Sequence, residues 1–369
     1  MRASLTFASV LAATLGVASS AVSQAPVSNP TNKTGVIGLM HAIHSTNDVE
    51  KTLAFYQQVF ALNGGVNGFD PKGPRILTNS PTASLRVAMM NLTGHTGSSA
   101  LNFELTQFGD LERQTKKQPD IQDPGAPTMK MLVRDLDTVV ANAKKVNAPI
   151  VTKGGAPVMA PTPIGSARAI IMRDPDGYFI EAIQATPEIV AATEAEPPAG
   201  RGRGRGANAA APATPPPPSQ VVGAIMGLTV RDMDETLKYW NGVLAMEMPK
   251  AEKFSNDQAT LDLLGLPKGA SYRMSSGVIS GSPARIEFIE VKGVPRKPFD
   301  LRVTDAMACG MAIRIGHIRD VLAKIKANSG RVLSRNEELV EWSDTIRNVF
   351  VKDPNGLNLE LVGSADPAF

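Results

Sequence analysis

The sequence predicts an α+β protein in which a short strand, an amphipathic helix and about three further strands recur four times. Three observations predict it. The two halves of the 369-residue chain overlay on each other, each half contains its own second strand–helix unit, and a stretch rich in Pro, Ala and Arg-Gly separates the halves.

Taken in order, the chain begins with one positive charge at Arg2, an apolar run from Leu5 to Val17 and small residues from Ala18 to Ser23. That pattern reads as a secretory signal over residues 1–23, cut after Ala21 or Ser23, and implies an exported protein, periplasmic or secreted. The run is too short to span a bilayer, and no other stretch approaches the roughly 18 apolar residues of a membrane helix. A single cysteine, Cys309, rules out an internal disulfide and a Cys-based zinc site, and reads as a small buried residue.

The segment Ile37–Leu62 has the layout of Val222–Met246: a strand, an Asp that opens a helix, and an aromatic pair, Phe55 with Tyr56 or Tyr239 with Trp240. These pairs read as fillers of a helix–sheet core. Met129–Val151 and Gly310–Val332 repeat the unit, and runs such as Leu85–Leu92, Ala100–Phe108 and Ala284–Val291 read as strands. Each half closes on a hairpin, Ile170–Gln184 and Val349–Gly363, whose tight turn is Asp-Pro-Asp-Gly or Asp-Pro-Asn-Gly. Residues 34–186 and 221–364 are expected to fold as independent domains, joined by a linker over 187–220 whose Pro-rich composition cannot bury enough surface to order itself. The RGRGRG run at Arg201–Gly206 is a spacer more readily than an RNA ligand in an exported chain, and a formal net charge of +3 is too small to indicate a polyanionic partner. No nucleic-acid partner is expected.

Three pieces, HAIHSTNDVEKTLAFY from His41, FELTQF at Phe103–Phe108 and RDPDGYFIE at Arg173–Glu181, resemble the vicinal-oxygen-chelate superfamily of glyoxalases, bleomycin resistance proteins and extradiol dioxygenases. The resemblance implies tandem glyoxalase-like domains, each of two βαβββ modules forming a half-open barrel with a metal held by first and last strands. Carried over by position, it implies His41, Glu104 and Glu181 as metal ligands in the first half, with Met129 where a further histidine is usual. In the second half the first-strand positions fall on Ile225 and about Gly310, leaving Glu287 and Glu360 and a site without metal.

Charge imposes its own demand. Two carboxylates about 4 Å apart repel by roughly 4 kcal/mol at an effective dielectric near 20, so a cation, a shared proton or an inward Arg must compensate. Strand alternation places Met129, Met131 and Val133 on the inward face and Lys130 and Arg134 outward, and it groups Arg314 with Gly310 and Ala312, so that Arg314 could face Glu287 and Glu360. A His with two carboxylates suits a divalent ion such as Zn, Mn, Fe or Ni. The expected function is a metal-dependent lyase or isomerase acting on a small oxygen-bearing molecule, with Glu104 or Glu181 doubling as base. The alternatives are a metal-free protein that binds a small molecule without turnover and an interaction module without chemistry. His44 alternates away from His41 and reads as structural; His317 reads as solvated.

Overall fold

The computed structural model describes residues 33–70, 72–94, 101–114, 118–195, 218–328 and 330–366, so the expected signal and most of the expected linker lie outside the described residues. Four modules follow one another. The first runs β1 (Gly35–Ser45), α1 (Val49–Phe60), β2 (Val66–Phe69), α2 (Lys72–Leu77), β3 (Ser84–Asn91), β4 (Asn102–Gly109). The second is β5 (Pro127–Val133), α3 (Leu136–Lys145), β6 (Val158–Thr162), β7 (Gly165–Arg173), β8 (Phe179–Gln184), and α4 (Pro187–Glu194) follows it. The third holds β9 (Val221–Thr229), α5 (Met233–Gly242), α6 (Gln258–Leu263), β10 (Ser271–Val278) and β11 (Arg285–Lys292). The fourth holds β12 (Cys309–Gly316), α7 (Ile318–Ala327), the short β13 (Arg331–Val332) and β14 (Val340–Glu341), then β15 (Ile346–Lys352) and β16 (Asn358–Ser364).

The helix starts are written locally. Asp48, Asp135 and Asp232 adopt extended backbone and accept hydrogen bonds from the first-turn amides of α1, α3 and α5, satisfying donors that no earlier carbonyl can reach. The fourth module has His317 instead, in left-handed conformation and with no side-chain cap. Within each module the first strand pairs in parallel with the last, β1 with β4, β5 with β8, β9 with β11 and β12 with β16.

Strand order between modules is where the structure departs from the expectation that each half closes on itself. One sheet runs β13-β15-β16-β12-β1-β4-β3-β2 and the other β10-β11-β9-β5-β8-β7-β6. Each half-barrel therefore takes one module from each half of the chain. The joints are antiparallel first strands, β1 on β12 and β5 on β9. On their outer faces, β1, β5, β9 and β12 bury Ala42, Met129, Met131, Met226, Met311 and Ile313 against the long helices in one core. Their inner faces line two cups. The first contains Ile43, Ala312 and Phe350 under Ile76 and Leu77 of α2; the second contains Leu132, Ile171 and Tyr272 with Leu261 and Leu263 of α6. In each cup the covering helix reaches strands of the opposite half of the chain, α2 meeting β14 and β15 and α6 meeting β6 and β7.

Residues 187–194, placed in the linker by composition, form α4: Thr186 caps it, Pro187 opens it, and Ile189 and Val190 pack against the second cup's core. No helix of the described residues is long and apolar enough to cross a membrane.

This topology predicts the behaviour of a chain cut between residues 196 and 217. Cleavage at a protease site inserted there is expected to leave two fragments that co-elute on size exclusion, because separating them would expose the facing edges of β1, β5, β9 and β12. Fragment 34–186 expressed alone is expected to aggregate or remain unfolded; a monomeric, cooperatively melting fragment would contradict the interleaved pairing.

Candidate functional site

The repeat places one glutamate at the same point of every module. Each stands beside the first-strand residue five positions before the helix cap: Glu104 beside Ile43, Glu181 beside Lys130, Glu287 beside Gly227 and Glu360 beside Ala312. The first-strand residue two positions earlier is His41, Thr128, Ile225 or Gly310. Side chains two apart share a strand face. The sheet order then brings the glutamates together in pairs, Glu104 with Glu360 in the first cup and Glu181 with Glu287 in the second.

In the first cup His41 Nε2 lies 3.4 Å from Glu104 Oε2, both side chains being mostly buried. Thr106 Oγ1 donates to Glu104 Oε1 at 2.9 Å, and Asn348 Nδ2 donates to Glu360 Oε1 at 2.8 Å. Burial lowers the His41 pKa below its ordinary value, against the pull of Glu104. The imidazole is therefore neutral at pH 7 and able to act as a ligand. Burial first, and then the charge of Glu104, pushes Glu360 up to about 7. Asn348 Oδ1 is buried without a partner among the described residues. A neutral imidazole, two carboxylates and an orphaned acceptor are donors of the kinds a divalent cation takes, but the ligand atoms of His41, Glu104 and Glu360 do not all stand within 4.8 Å of one another, so an ion there would have to draw them closer.

The second cup is balanced differently. Lys130 Nζ stands 2.8 Å from Glu181 Oε2 and 2.6 Å from Glu287 Oε1, with all three side chains nearly or fully buried.

Several expected positions change. His41 and Glu104 do stand together, but Glu181 lies in the other sheet and the carboxylate that joins them is Glu360. Met129 faces the outer core, so the inward first-strand position of the second module is Thr128, and Lys130 points inward rather than outward. Every residue of β5 is buried, so both of its faces are in contact with protein and apolar alternation carries no phase. Arg314 is exposed at the far end of β12 beside Gly38, and Lys130 meets Glu287 in its place. Cys309 is buried, its thiol pushed up to about 12, chiefly by burial.

A third cluster lies outside the cups. His44, Asp174 and Asp176 bring their ligand atoms within 4.8 Å of one another, near enough to hold an ion. Their oxygens are already engaged. Asp174 Oδ2 accepts from His44 Nε2 at 2.8 Å and from the Tyr56 hydroxyl, and Oδ1 from the amides of Asp176 and Tyr178. Asp176 accepts from the Asn47 amide and side chain and from Thr52 Oγ1. Burial opposes charging His44, but Asp174 and then Asp176 more than offset it, and its pKa rises above 6.5. The second half shows the same turn without the charge. Trp240 Nε1 donates to Asp353, Asn355 replaces the second Asp and bonds Thr236 and the Arg231 amide, and Leu228 stands where His44 would. Where two carboxylates are buried a histidine of raised pKa stands against them, and where one is buried a leucine takes its place, so this cluster reads as a structural clamp between modules.

The sequence matches no family model and no curated protein. Solved structures do match. Glyoxalase I from Zea mays aligns over 88% of this chain and 92% of its own, with a TM-score of 0.51 at 18% identity, and two variants of that enzyme align with TM-scores of 0.52 at 18% and 17% identity. The likeness establishes the fold, paired βαβββ half-barrels like those of glyoxalase I.

The clamp generates a double-mutant test. His44→Leu leaves two buried carboxylates facing each other and should cost about 3–5 kcal/mol, while adding Asp176→Asn copies the second half and should recover most of the loss in urea titrations. The pH dependence follows from the raised His44 pKa. Its contribution is fully present below 6.5 and is lost as pH rises through the folded-state value. The double variant should lack this alkaline decline; the same decline in both proteins would remove His44 as its source.

Proposed function

We propose that the first cup is a divalent-metal centre and that the chain is a metal-dependent enzyme, of the lyase or isomerase kind, acting on a small oxygen-bearing molecule. One observation carries the reading. Glu104 and Glu360 share a cup in which, among the described residues, only the neutral His41 comes within ion-pair distance of either, whereas the equivalent pair in the second cup is neutralised by Lys130. The first pair needs a cation or a proton, and among the described residues no side chain supplies the cation. The shared fold with glyoxalase I supports the same assignment.

His41, Glu104 and Glu360 would hold the ion, which when bound polarises a carbonyl or hydroxyl oxygen. The remaining work falls to side chains of this protein. Thr106 fixes one oxygen of Glu104, so that the other faces His41. Asn348 orients Glu360, whose metal-free pKa near 7 suits a group that takes and returns a proton at neutral pH. Glu360 is therefore the better candidate for the base, the role expected of Glu104 or Glu181. Ile43, Leu77, Val303, Ala312 and Phe350 form apolar walls that exclude water from the reacting group. The same walls favour the second reading, in which the cup binds a small apolar molecule without turnover.

The purified full chain is expected to hold one divalent ion by elemental analysis. Glu104→Gln and Glu360→Gln should each lower metal retention and abolish turnover together, while Glu181→Gln should leave metal content unchanged. If the cup is only a binder, Glu360→Gln relieves repulsion and raises the melting temperature irrespective of chelator, the opposite sign.

In chelated protein the raised Glu360 pKa has its own consequence. Its favourable contribution is complete below the ordinary 4.5 and is lost as pH rises through about 7, so stability should fall across that window. Thermal melts of chelated wild type and Glu360→Gln across this range should show the fall in the first and its absence in the second.

A further inference from the structure

The second cup repeats the backbone frame of the first and holds the same pair of glutamates, yet its centre is filled by an ammonium group. Lys130 contacts Glu181, which belongs to its own half of the chain, and Glu287, which belongs to the other. The surroundings make room for it. Gly227 is its counterpart across the cup, and a Cβ there would stand 3.6 Å from Lys130 Cε and 3.2 Å from Thr128 Cβ. Lys130 and Ile43 occupy equivalent positions, as do Thr128 and His41. A hydrocarbon side chain at the first position leaves the glutamates of the first cup without a charge between them, and a lysine removes that need in the second.

We propose that Lys130 is a resident cation that takes the place of a divalent ion in the second cup, bars metal from it, and ties the two halves of the chain together through Glu181 and Glu287. Burial disfavours the charged ammonium, but two carboxylates at hydrogen-bond distance more than offset this and keep it protonated, so it cannot serve as a nucleophile. The second cup is a structural site, and the chain carries one ion rather than two.

The test exchanges the residues of one cup for those of the other, in full-length protein whose first cup is silenced by His41→Ala and Glu104→Gln, so that its outcome is independent of any metal there. The probe is Ni(II) alone, followed by equilibrium dialysis and elemental analysis. Thr128→His with Lys130→Ile rebuilds the first cup's pair and is expected to bind one Ni(II) per chain, at least a hundredfold tighter than Thr128→His with the lysine kept. Adding Glu181→Gln and Glu287→Gln should abolish that uptake. Equal binding with Lys130 present overturns the proposal, as does a folded Thr128→His/Lys130→Ile chain that binds none. If that variant folds only when Ni(II) is present, the metal has taken over the lysine's role and the proposal stands; if Ni(II) rescues neither it nor Thr128→His/Lys130→Ala, the proposal fails.

Discussion

The antiparallel pairing of β1 with β12 and of β5 with β9 is the constraint on which the rest of the structure depends. Within a module the parallel first and last strands set a glutamate beside a first-strand residue, and that much is local to one half. Only the joint between modules decides which glutamate faces which. Because the joints cross from one half of the chain to the other, His41 and Glu104 meet Glu360, and Lys130 and Glu181 meet Glu287. Each cup is completed by a residue that lies far away in sequence.

Buried carboxylates recur in the cups and in the turns that meet neighbouring modules, and each is compensated by a different means. Lys130 supplies a full charge to one pair, and His44, whose pKa its neighbours raise, donates to Asp174 beside Asp176. In the second half's turn the demand is reduced at its origin, since Asn355 replaces one acid and Trp240 donates to the other. Repulsion between close charges at interior dielectric amounts to several kcal/mol, comparable with a domain's net stability, so such pairs do not persist uncompensated. The first cup stands apart because its compensating groups are neutral: His41, Thr106 and Asn348. The chemical difference between the cups comes from two first-strand positions, His41 and Ile43 in one and their equivalents Thr128 and Lys130 in the other.

Much of this was legible in the sequence because it is local. The strand–helix repeat, the Asp caps and the hairpin turns follow from short-range geometry, helical and strand periodicity and the fixed φ of Pro beside a permissive Gly, while the glutamate of each last strand was legible only through the resemblance. Tight turns and caps are satisfied by residues within a few positions, so their signals survive without a tertiary context. His44 was separable from His41 for the same reason, by alternation along β1.

What only the tertiary structure decided is long-range or phase-dependent. Strand edges look alike to a one-dimensional reading, and nothing in either half announces that β1 prefers β12 to β5. The orientation of Lys130 was equally hidden, since period-two alternation assigns an inward face only when the other face meets water, and β5 is buried on both. The helix at residues 187–194 escaped a compositional reading because its order comes from docking Ile189 and Val190 on a core that the rest of the chain provides. The sequence by itself determined the modules and the acids they carry; the pairing of those modules determined which acids share a cup and therefore which of them a lysine neutralises.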